Sequence, residues 1–137
     1  MKGSYILLIE LASDKDILIG KSGYMHFPKA YYAYVGSAMN GFKARLAHHL
    51  REKRKPHWHI DYLLKEAEII DIILCPSEQR TECFLAQALA KKFPSILGFG
   101  CTDCRCNSHL YFDADKGNLE RGIIMAGKTI SDHRGCN

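Results

Sequence analysis

The chain has 137 residues, the length of one compact domain (1–137), with 47% hydrophobic and 25% charged residues, values that exclude a disordered, collagen-like or coiled-coil protein. A chain this long buries roughly two-thirds of its unfolded surface, enough for a core without staples. The net charge of +4 is concentrated: the 17 positions from Lys43 to His59 hold six Lys/Arg, one acid and four of the seven histidines, and the remainder is close to neutral.

In chain order, Ser4 to Leu11 is rich in aliphatics and predicts a strand opening after Gly3. Asp14 to Asp16 reads as a turn, Ile17 to Gly20 as a short partner strand, and Lys21 to Lys29, with Gly23 and Pro28, as a loop. Tyr31 to Gly36 is a second β-rich run. After Asn40-Gly41, the spacing of Phe42, Leu46 and Leu50 predicts a helix to about Lys53, and His57 to Leu64 a short helix carrying Trp58 and Tyr62 on one side. Ala67 to Cys75 predicts a buried strand. Pro76-Ser77 offers the start of a helix running to Phe93, and Pro94 stops it. A Gly- and Cys-rich loop, a strand at His109 to Phe112 and a last helix from about Asn118 to Lys128 complete an α/β (α+β) domain, with a small, largely antiparallel sheet flanked by helices. The longest early aliphatic run, Ile6-Leu7-Leu8-Ile9, is too short for a secretory segment or a membrane span, so a soluble, cytoplasmic protein with no membrane partner is expected.

Three features could carry chemistry. Leu85, Ala86, Leu89 and Phe93 follow Glu82 by three, four, seven and eleven residues, which sets Glu82 within an apolar helical stripe. A buried carboxylate needs a partner or a cation; the other reading is an early-helix Glu turned to water. Arg45 and His49 border the Phe42/Leu46/Leu50 stripe, where Arg can grip a phosphate and His can accept a proton; the other reading is an ordinary solvated helix face. The stripe Lys43, Arg51, Lys53, Arg54 and Lys55 suits a polyanion such as nucleic acid, or simple solvation. Tyr5 and Tyr34 read, by themselves, as packing residues.

In order, these residues resemble the GIY-YIG nuclease superfamily: Gly3-Ser4-Tyr5, then Tyr34-Val35-Gly36, then Arg45 and His49 on one helix, then Thr81-Glu82 on another. YAYVGSAMNGFKARLAHHL is similar to that family's second-motif strand and arginine helix, and RTECFLAQALAKKFP to its glutamate helix. GSYILLIE, HWHIDYLL and FGCTDCRCNSHL are similar to a small, mostly archaeal, poorly characterised branch, whose domains also occur beside base-excision DNA glycosylases. The resemblance implies hydrolysis of DNA phosphodiester bonds with one Mg²⁺ or Mn²⁺, and leaves room for a repair-enzyme partner. Glu82 would hold the metal and Arg45 the scissile phosphate, His49 or Tyr5 would take the proton of the attacking water, and Tyr34 would orient that water. Three departures stand out. Tyr5 and Tyr34 lie 29 positions apart instead of in one tight hairpin, Gly23-Tyr24 is a rival first motif, and Ser37 stands where relatives often carry Lys. The alternative is a non-catalytic nucleic-acid-binding module using the basic helix 43–55.

Cys101, Cys104, Cys106 and His109 contain ligands enough for a structural Zn²⁺, which would make a zinc-stabilised interaction domain; the other reading is reduced thiols in a loop. His57, His59 and Asp61 would face one way on a strand and bind metal there, but the Trp58/Tyr62 spacing favours a helix that scatters them.

Overall fold

A computed structural model describes residues 1–51, 56, 58–100 and 106–134. The strands β1 (Gly3–Leu11), β4 (Ala30–Ala38), β5 (Glu68–Pro76) and β6 (Leu110–Asp113) form one antiparallel sheet in the order β5-β1-β4-β6. The helices are α1 (Phe42–Leu50), α2 (His59–Leu63), α3 (Glu82–Ala90) and α4 (Lys116–Arg134). No helix of the described residues is long and apolar enough to cross a membrane.

The central position of β1 explains its unbroken apolar run. Antiparallel strands usually alternate, because one face meets water. Here both faces are covered. Tyr5, Leu7, Ile9 and Leu11 join Tyr32, Tyr34, Phe42, Ile60, Leu63 and Phe99 in one core. Ile6 and Leu8 join Ala33, Val35, Leu85, Leu89, Leu119 and Ile123 of the α3–α4 side in the other. β5, expected as a buried strand, instead lies at the sheet edge with Ile70 and Leu74 exposed. Its apolar side chains are only partly covered: Ile69 and Ile72 pack against the first core, Ile73 and Cys75 against the second.

The region 15–29 departs from the reading of a partner strand followed by a loop. β2 (Lys15–Leu18) pairs not with β1 but with β3 (Tyr24–Phe27), in a separate hairpin bent through a 3-10 turn at Gly20–Ser22. Ile17, Ile19 and Phe27 anchor that hairpin in the first core. This hairpin leaves β1 and β4 adjacent: they pair from Gly3 opposite Ala38 to Leu11 opposite Ala30. The hairpin emerges from the Leu11/Ala30 end, and Tyr5 and Gly36 face each other near the other end.

Two helix boundaries also move. α1 ends at Leu50, where Arg51 turns extended, and Leu50 is 59% exposed; His49, not Leu50, faces inward beside Phe42. α3 begins at Glu82, later than Pro76-Ser77 suggests. The Ser77 hydroxyl does accept the Gln79 N–H (3.1 Å), but that turn does not propagate; buried Thr81 precedes the helix instead, its hydroxyl bonded to that of Ser4 (2.7 Å).

Two glycines set how closely the strands meet at the motif end. Gly36 has the Tyr5 ring directly over it, and a Cβ there would lie under 3.0 Å from the ring carbons and hydroxyl. Gly3 combines φ of +149° with the Cys75 carbonyl oxygen under 3.0 Å from any added Cβ. Gly36→Ala should therefore destabilise the protein by about 1–3 kcal/mol through overpacking. Urea unfolding measures that loss, and the same substitution in a Tyr5→Ala background should cost markedly less, because the obstructing ring is gone.

Candidate active site

A cleft of about 780 Å³ opens at the motif end of the β1–β4 pair, and Tyr34, Gly36, Ser37, Arg45, Glu82, Cys83 and His109 are among its lining residues. Each reaches it by a different route. Tyr34 points from β4 toward the same face as Tyr5, with the two ring centroids 6.4 Å apart. Arg45 projects from the middle of α1, its guanidinium carbon 4.2 Å from the centre of the Trp58 ring. Glu82 is the first residue of α3, favourably placed for a negative charge. Its side chain is 21% exposed, with an oxygen 3.8 Å from Arg80 Nη1. It thus faces the cleft from the helix start and does not sit within the apolar stripe, which is made by Leu85, Ala86 and Leu89.

Tyr5 and His49 stand one layer behind the lining. Tyr5 is 0% and His49 2% exposed, and the Tyr5 oxygen lies 2.6 Å from His49 Nε2, a hydrogen bond whose direction follows the imidazole tautomer. His49 was expected at the rim of the cleft; it is instead packed against Tyr5, Tyr34 and Trp58, because position 49 is on the inward face of α1. The structure thus brings Tyr5, Tyr34, Arg45, His49 and Glu82 to one corner of the molecule, three of them on the cleft and two supporting it. Tyr24, the rival tyrosine, is 74% exposed on β3 in the separate hairpin and does not line this cleft.

The electrostatics follow from burial. Burial pushes the Tyr5 phenol up to about 12, against a smaller opposing pull from the Arg45 charge and hydrogen bond. Burial also raises Tyr34, beside Tyr5 and with the same Arg45 and Glu82 charges acting on it. Both phenols are neutral hydrogen-bonding groups at neutral pH. Burial lowers the pKa of His109 and of His59, whose Nδ1 accepts the Gly100 N–H (2.9 Å).

Of the remaining basic residues, Lys43 and Arg51 are exposed on or just after α1, while Lys53, Arg54 and Lys55 lie outside the described residues. The His57/His59/Asp61 metal reading finds no support among the described residues. His57 lies outside the described residues, Asp61 is fully buried, accepting the Trp58 N–H (2.8 Å) and bonding His48 Nε2 (3.0 Å), and His59 serves Gly100. Cys101 and Cys104 also lie outside the described residues. Cys106 and His109 meet Cys83, a residue that sequence spacing did not single out, in a cluster whose ligand atoms are all within 4.8 Å of one another. The Arg45–Trp58 stack and the His48–Asp61 pair were likewise not anticipated. Only the recurrence of aromatic and histidine residues around Trp58 hinted at them.

The chain belongs to the family described as "Domain of unknown function DUF123", whose model matches residues 4–131, from β1 into the last turn of α4. No curated protein and no solved structure matches it.

Raised phenol pKa values make stability pH-dependent. With the folded Tyr5 value near 12 against 10.0 for the free group, its contribution is complete below pH 10 and is lost as pH rises through 12. The urea midpoint should therefore fall across that window, and Tyr5→Phe should reduce the fall, as read by unfolding curves at stepped alkaline pH.

Proposed function

We propose that this member of the DUF123 family is a divalent-metal-dependent endonuclease of the GIY-YIG type, hydrolysing phosphodiester bonds in DNA. One observation carries the reading: Tyr34, Arg45 and Glu82, from three separate elements, line one cleft, with the Tyr5–His49 hydrogen bond directly behind it. A packing role alone gives no reason for a guanidinium, a carboxylate and a buried phenol–imidazole pair to converge.

Glu82 suits a hard cation. It is one partly buried carboxylate at the start of α3 on the cleft wall, a donor fitting Mg²⁺ or Mn²⁺ that retains most of its water. When bound, the cation would polarise the phosphate and acidify a water. The protein's own groups do the rest. Arg45 presents a planar fork to two phosphate oxygens and meets the charge that grows on them in the transition state. The Trp58 ring beneath it holds the guanidinium plane. On engaging phosphate, Arg45 withdraws from the Tyr5 oxygen and opens it to the cleft. That oxygen then accepts a proton from the attacking water while passing its own proton to His49 Nε2, so no phenolate accumulates in a place where burial disfavours it. Tyr34 orients the water by a hydrogen bond. Lys43 and Arg51 add positive potential along α1 that draws a polyanion to this end of the sheet.

The test is cleavage of a substrate panel (plasmid, duplex, flap, branched and single-stranded DNA, with RNA as the contrast) in Mg²⁺ or Mn²⁺. Cleavage should vanish with chelator. Glu82→Gln and Arg45→Ala should each lower the rate by about 10²-fold or more with the fold intact by circular dichroism, and Arg45→Lys should not restore it, because the fork is lost. DNA binding with no turnover in any of these ions and substrates would overturn the nuclease reading in favour of a binding module.

A further inference from the structure

Cys83 and His109 share the cleft wall with Glu82 but have no part in the chemistry above. Cys83 is the second residue of α3. Cys106 and His109 belong to the segment leading into β6, 23 and 26 positions away in sequence. Their three ligand atoms lie within 4.8 Å of one another, and Cys83 Sγ is 4.0 Å from His109 Nε2. Two sulfurs and an imidazole nitrogen are the donor set of a soft or borderline cation, and a poor one for Mg²⁺.

We propose that Cys83, Cys106 and His109 bind a Zn²⁺ ion that clamps the start of α3 to the segment entering β6. In a tetrahedral zinc site with thiolate and imidazole ligands, neighbouring donor atoms are about 3.5–3.8 Å apart, so these atoms need draw together by only about 1 Å. The backbone around them is already set. The His109 N–H donates to the Phe99 carbonyl (2.8 Å), the Val35 N–H to the His109 carbonyl (2.9 Å), and the Gly98 N–H to the Asn107 carbonyl (2.7 Å). Charge also balances: binding releases the two thiol protons to solvent, and two thiolates with a neutral imidazole cancel the ion's charge in a half-buried place. The remaining tetrahedral position is filled by water or a further donor. Cys83 adjoins Glu82 in the chain, so the ion fixes the turn that carries Glu82 against the strand that carries Tyr34. It is a positioning centre, distinct from any cation on Glu82 and independent of the nuclease reading.

The experiment uses the full chain, purified without chelator under reducing conditions, with zinc measured by elemental analysis and the stripped protein reloaded with Co²⁺. The expected result is about one Zn²⁺ per chain and a Co²⁺ form with a thiolate charge-transfer band, which falls roughly by half in Cys83→Ser and in Cys106→Ser. His109→Ala should weaken Zn²⁺ affinity at least about tenfold with both thiolates kept, and Glu82→Gln should leave zinc content unchanged, separating this site from the proposed active-site cation. The proposal is overturned by zinc far below stoichiometric in the reloaded wild-type chain, or by a Co²⁺ form without the charge-transfer band. Equally decisive against it would be undiminished zinc in the double Cys83→Ser/Cys106→Ser variant, or a Cys83–Cys106 disulfide in place of metal. If the serine variants do not fold, the wild-type Co²⁺ spectrum alone decides.

Discussion

Tyr5 lies across the bare backbone of Gly36, and the geometry of the cleft follows from that contact. A ring can rest directly on a neighbouring strand only where the opposing residue has no side chain. The ring then carries its hydroxyl past β4 to the inward face of α1, where His49 receives it at 2.6 Å. That hydrogen bond registers α1 against the sheet, and the registration turns Arg45, one helical turn earlier, toward the cleft. The two short tripeptides at the ends of β1 and β4 are therefore a single device. One supplies the ring, the other the space for it and, at Tyr34, a second phenol beside it.

A different constraint places the carboxylate. The chain leaves β5 at Pro76, and the Ser77 N–H donates to the Lys2 carbonyl (3.0 Å) while Ser4 and Thr81 join hydroxyls beneath it. This tether brings the first turn of α3 alongside the start of β1. Glu82 is thus delivered by the same strand end that delivers Tyr5, although 77 positions of chain separate them. The proposed zinc acts on this turn from its other side.

Much of this was legible in the sequence because it is written in local pattern. The unbroken run from Gly3 to Leu11, the β-rich run ending at Gly36 and the spacing on α1 gave the antiparallel sheet and its flanking helices. The ordered tyrosines, Arg45 and Glu82 pointed to one corner of the fold. The failures share a cause: they depend on which neighbour a segment meets. The aliphatics of β5 read as fully buried because composition cannot separate a partly covered edge strand from a central one. Ile17 to Gly20 was assigned to β1, yet its partner is β3, a segment whose Tyr24 and His26 look like loop residues without the hairpin around them. His49 and Leu50 are adjacent on a helix, and periodicity favoured the aliphatic one for the interior; the Tyr5 hydroxyl, invisible from the helix alone, reverses that choice. Cys83 escaped notice for the same reason, since its companions come from a distant segment.

The hairpin of β2 and β3 grows from the end of the β1–β4 pair remote from Tyr5 and Gly36, and meets the cleft corner through α2, where the Ser22 hydroxyl meets His59 (3.3 Å), and through Phe27, which packs on Phe99 beside Tyr34. Because closing a longer connection costs only logarithmically more entropy, this bend is a place where the polypeptide can be lengthened, trimmed or rewritten with little consequence for the cleft residues. The fold thereby keeps its candidate site and its room for variation at opposite poles.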